Sequence, residues 1–64
     1  MEILLKKIMD DRNLSVRQVE MLTGVPKSTV SDIRAGAMPK LDTLEMLAAG
    51  LKIRITDLFE SEYK

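Results

Sequence analysis

The chain has 64 residues and contains neither cysteine nor histidine. Without cysteine, no disulfide or thiolate metal site can staple it. Without histidine, the commonest metal ligand and the usual general base are both missing. No apolar run approaches the roughly 18 residues needed to span a bilayer. The opening Met1-Glu2-Ile3-Leu4-Leu5 is too short and too soon charged for a signal peptide. An excess of one charge is absent as well, since ten basic residues balance ten acidic ones. There is no glycine-rich loop to cradle phosphate, and the carboxylates are scattered along charged stretches. These absences argue against an enzyme, a cofactor, a small-molecule ligand or a membrane partner, and they fit a reducing, cytoplasmic setting. Stability then rests on packed apolar side chains, which make up 45% of the residues. The length makes residues 1–64 one domain with a small core.

The punctuation of the chain predicts five short helices and an all-α fold. The first spans Glu2 to Asp11, with Leu4, Leu5, Ile8 and Met9 at helical spacing and Asn13 as its stop. The second opens with Ser15 and Gln18, three residues apart, which is the spacing of a reciprocal capping box. Val16, Val19 and Thr23 share a face, and Gly24 ends the helix. The third begins after Val25-Pro26, where proline is tolerated in a first turn, and runs from Lys27 to Arg34. Val30 and Ile33 are its buried pair, and no side-chain oxygen is an obvious cap unless Ser28 serves with a later start. Gly36 takes a positive-φ position in the loop that follows. The fourth helix runs from Leu41 to Ala49, with Leu41, Leu44, Leu47 and Ala48 inward and Gly50 as its end. Ile53 and Ile55 pack the next connection. Thr56 caps a fifth helix, Asp57 to Glu60, with Leu58 and Phe59 inward, and Ser61 to Lys64 frays.

Residues Val16 to Ala35 form the central feature: two eight-residue helices around a glycine-containing turn, a helix-turn-helix arrangement. With Val30 and Ile33 committed inward, Lys27, Ser28, Thr29, Ser31 and Asp32 are left on the opposite face. They are short or polar, and an α-helix bearing such groups fits the major groove of duplex DNA. The run Ser15-Val16-Arg17-Gln18-Val19, then Thr23 through Ile33, then Gly36, Pro39 and Leu44, resembles the phage-repressor/Cro-like helix-turn-helix family. The closing Leu51 to Phe59 resembles that family's usual end, so the likeness covers nearly the whole chain.

The resemblance implies a compact five-helix, repressor-like DNA-binding domain and a sequence-specific transcriptional regulator acting on double-stranded DNA. It implies base contacts from Lys27, Ser28 and Asp32 first, and from Ser31 and Thr29 second. Lys27 would donate to guanine, and Asp32 would accept from a cytosine amino group. It implies phosphate contacts from the start of the second helix at Val16 and Arg17, and from Lys40 and Thr43 before and within the fourth. Family members often carry glutamine where Val16 stands, and alanine where Glu20 stands. They often pair an arginine with a glutamate at the positions of Met9 and Arg34. That pair is lost here, which makes Arg34 a free cation beside the expected DNA face and a further expected phosphate contact. Dimerisation of such domains implies a homodimer through the C-terminal helices, for which Met38, Met46, Ile55 and Tyr63 are the unassigned apolar groups. The neutral total charge supports a rival reading, in which the same fold serves as a protein-binding module or an antitoxin with little DNA affinity.

Overall fold

The computed structural model describes all 64 residues. It contains four α-helices: α1 (Leu5–Arg12), α2 (Val16–Thr23), α3 (Lys27–Arg34) and α4 (Leu41–Leu51). The expected fifth helix is instead a 3-10 turn at Ile55–Leu58, followed by a strand, β2 (Phe59–Glu60). That strand pairs antiparallel with β1 (Glu2–Ile3), Glu2 opposite Glu60 and Ile3 opposite Phe59. The fold is therefore mostly helical with a two-stranded ribbon, rather than five-helix and all-α.

The ribbon explains both errors at the chain ends. Glu2 and Ile3 are recruited as a strand, and the Leu4 amide donates to the Leu58 carbonyl at 2.8 Å, so α1 starts only at Leu5. Phe59 and Glu60 are taken by the same pairing, which leaves four residues before them, enough for a 3-10 turn but not for an α-helix. Its cap is not Thr56: the Arg54 amide donates to Asp57 Oδ2 at 3.0 Å. The last residues fold back instead of fraying, with Lys64 Nζ donating to the Phe59 carbonyl at 3.2 Å.

Two helices end in the same way. After α1, Leu14 N donates to Met9 O and Asn13 N to Asp10 O, with Asn13 left-handed at φ 56°. After α4, Ile53 N donates to Ala48 O and Lys52 N to Ala49 O, with Lys52 at φ 57°. Both are Schellman ends, which need one left-handed residue. Gly50 is thus not the stop of α4 but lies inside it. Its role is close approach: a Cβ there would meet the Leu22 carbonyl and lie 2.5 Å from Thr23 Cα. Gly50 lets α4 pack directly against the end of α2. Arg12 adds a tie from α1, its Nη1 donating to the Leu51 carbonyl at 2.8 Å.

The core gathers Leu5 and Met9 from α1, Val19 from α2, Val30 and Ile33 from α3, and Leu44, Leu47, Ala48 and Leu51 from α4. Val25 in the turn and Leu58 in the 3-10 turn complete it. Leu41, expected inside, is 79% exposed at the first position of α4. Ile55 is exposed, while Leu4, Ile8, Val16, Thr23, Ile53 and Phe59 are half-buried. No polar or charged side chain is buried in the core, so its stabilisation is burial of apolar surface.

Candidate nucleic-acid interface

Local chemistry builds the α2–α3 unit from its first residue. Ser15 Oγ accepts from the Gln18 amide at 3.1 Å, and Gln18 Oε1 accepts from the Ser15 amide at 2.8 Å. The expected capping box is therefore closed, and the Val16 and Arg17 amides remain without a side-chain acceptor at the positive end of the helix. At the other end Gly24 turns left-handed at φ 80° and donates its amide to Glu20 O at 2.8 Å. Conformation, not crowding, calls for glycine here, since a Cβ would find only Met46 Cε at 3.8 Å. Thr23 Oγ1 donates to the Val19 carbonyl at 2.7 Å and accepts from the Val25 amide at 3.2 Å. Val25 plugs the turn at 1% exposure.

Pro26 then occupies the N-cap of α3 with φ −54°, where its missing N–H leaves nothing unpaired. Val30 and Ile33 bury one side of α3. Lys27, Ser28, Ser31 and Asp32 are exposed, and Thr29 is half-buried at the margin. The molecule thus presents a short helix with a committed apolar side and an uncovered polar side.

The model of the Cro/C1-type helix-turn-helix DNA-binding domain matches residues 4–63. The chain belongs to this family. No curated protein and no solved structure matches it. A Cro/C1-type domain is a DNA-binding regulatory unit and not a catalytic one.

Within this Cro/C1-type domain, side chains that the sequence left open find partners. Arg34 is not a free cation. Its Nη2 lies 3.3 Å from Asp10 Oδ1, joining the end of α3 to α1. The ion pair that seemed lost at Met9 is re-formed one residue later, with the charges exchanged between the helices. Both partners are partly exposed, so the pair contributes little stability. It does mask a positive charge.

A glutamate where family members often carry alanine must tilt outward or find a partner, and Glu20 finds one. Its Oε2 accepts from the Lys27 amide at 2.9 Å and supplies the missing cap of α3. A contact with Arg17 is not made; the two ion pairs of the molecule are Arg34–Asp10 and Lys64–Glu60. Arg17 is exposed and unpaired, as is Lys27. Lys40 is exposed at the N-cap of α4. Thr43 is half-buried, and its amide already donates to Asp42 Oδ1 at 2.8 Å. Asp42 thus lies in sequence between the two residues expected to hold phosphate, and it forms no ion pair with Lys40. The uncompensated cations of the region are Arg17, Lys27 and Lys40, and the acids among the same segments are Glu20, Asp32 and Asp42.

No helix is long and apolar enough to cross a membrane. An open groove lies elsewhere, bounded by Met1, Lys6, Asp10, Arg34, Met38 and Glu60.

Proposed function

We propose that this Cro/C1-type domain is a sequence-specific repressor that inserts the N-terminal part of α3 into the major groove of duplex DNA. One observation carries the reading: Lys27, Ser28, Ser31 and Asp32 are uncovered, while Val30 and Ile33 of the same helix are held in the core. Lys27 donates to guanine, Asp32 accepts from cytosine, and Ser28, Ser31 and Thr29 read at closer range. Val16 and Arg17 offer first-turn amides to one phosphate strand, helped by the helix dipole. Lys40 and Thr43 face the other strand, the latter through its hydroxyl because its amide is engaged. Arg34 joins the phosphate set only by exchanging Asp10 for DNA. Repression needs nothing more than occupancy of a site.

With so few free cations a single copy binds weakly. About three neutralised phosphates give a slope near −3 in log affinity against log salt. Two copies on half-sites about one helical turn apart overcome that weakness. Met38, Met46, Ile55 and Tyr63 are all exposed and supply apolar surface for a homodimer through the C-terminal elements. Selection of bound duplexes from a random pool tests the reading. An enriched palindrome supports reader and dimer together, and no enrichment refutes sequence-specific binding.

A protein-binding or antitoxin role is favoured by one observation, the masking of Arg34 by Asp10 on a molecule of zero net charge. Titration with random duplex separates the two. Binding that weakens steeply with salt supports DNA, and no binding even at low salt supports a protein partner.

A further inference from the structure

We propose that Glu20 is both the staple that sets α3 against α2 and an electrostatic brake on duplex binding. This deepens the major-groove reading above and rests on it. Glu20 grips the turn from both sides. Its carbonyl accepts the Gly24 amide at 2.8 Å, and its carboxylate accepts the Lys27 amide at 2.9 Å. No other side chain caps α3, and Pro26 at the N-cap has no oxygen with which to do so. The first amide of the reading helix is therefore tied to the last full turn of the supporting helix. The angle at which Lys27 and Ser28 leave the protein depends on that tie.

The same carboxylate has no lysine or arginine nitrogen within salt-bridge distance. A helix start carries the equivalent of about half a positive charge, and a full negative charge now sits on it. The net positive charge that Lys27 and the helix start would present to phosphate of any sequence is thereby cut by one unit. Indiscriminate binding falls, while hydrogen bonds to base edges keep their geometry. Affinity for all sequences falls together, and the ratio between them is left to the staple.

Two variants separate the staple from the brake. Glu20→Gln keeps an acceptor for the Lys27 amide and removes the charge. Its expected result is a thermal midpoint lowered by only a few degrees, because a negative charge leaves a helix start, and a Lys27 amide that stays protected. Random and selected duplexes should both bind about threefold more tightly, as for a unit charge roughly 7 Å from a phosphate in water. Glu20→Ala removes the acceptor too. The Lys27 amide should then exchange fast, and the ratio of selected to random affinity should fall. Equal affinity of Glu20→Gln and the unmodified chain would overturn the brake. A Lys27 amide still protected in Glu20→Ala would overturn the staple. If the unmodified chain binds no duplex at low salt, the DNA reading fails and the brake with it, while the amide measurement still decides the staple.

Discussion

Replacing Gly50 with alanine sets two physical effects of opposite sign against each other. Alanine is better than glycine inside a helix by about 1 kcal/mol, and Gly50 lies inside α4. Propensity alone therefore predicts a more stable protein. The tertiary surroundings predict the reverse. The new Cβ would press on the Leu22 carbonyl, lie 2.5 Å from Thr23 Cα and lie 2.7 Å from Thr23 Cγ2. The first two are backbone atoms that no rotamer change can clear. Restoring ordinary contacts near 3.5–4 Å requires α2 to retreat from α4 by about 1 Å. A gap of that size forfeits about a quarter to a half of the dispersion energy of the atoms lining it. It would open beside the core that holds Val19 on α2 and Leu47 and Leu51 on α4. Overpacking of this kind costs about 1–3 kcal/mol or more, and the upper end applies because backbone must move. After the gain in propensity, the net loss is about 2 kcal/mol. A chain of this length has roughly 3–10 kcal/mol of stability in all, and the thermal midpoint should drop by about 8–16 °C. Reversible urea unfolding followed by circular dichroism at the helix bands measures the difference. A variant as stable as the parent, or more stable, refutes the close-approach account of Gly50. Gly24→Ala is the control. Its Cβ meets nothing closer than 3.8 Å, so only the left-handed backbone penalty of about 1–2 kcal/mol applies.

Lys52→Gly should stabilise the chain by about 0.5–1 kcal/mol, because the left-handed end of α4 at φ 57° then carries no Cβ; the urea midpoint reads it. Ser15→Ala opens the capping box and should cost about 1 kcal/mol in the same assay. Asp10→Asn should release Arg34 and cost less than about 1 kcal/mol of stability, while steepening the salt dependence of duplex binding by up to about one unit. Lys27→Ala should change preference at one or two base pairs by about 1–3 kcal/mol, whereas Lys40→Ala should weaken all duplexes about equally. Identical behaviour of these two variants in competition binding would show that reading and anchoring are not divided between them.

What the sequence determined by itself is what acts over a few residues. Ser15 and Gln18 name the start of α2 because each completes the other's backbone bonds at a separation of three. Asn13, Gly24 and Gly36 mark reversals because their types tolerate positive φ, and all three adopt it. The spacing of Val30 and Ile33 gives α3 an inner side and so leaves Lys27, Ser28, Ser31 and Asp32 outside. Tertiary structure alone decided whatever joins distant parts of the chain. The ribbon draws Glu2–Ile3 and Phe59–Glu60 from opposite ends of the chain, and it cancels one helix and shortens another. Gly50 looks like a stop by type, but it is a contact, because the backbone of α2 arrives at that point. Arg34 looks free until α1 brings Asp10 to it, and Glu20 looks misplaced until the turn brings it the Lys27 amide. Local propensity and capping act through bonds within a turn of backbone, whereas the partner of a charge or the neighbour of a glycine depends on where packing places another segment.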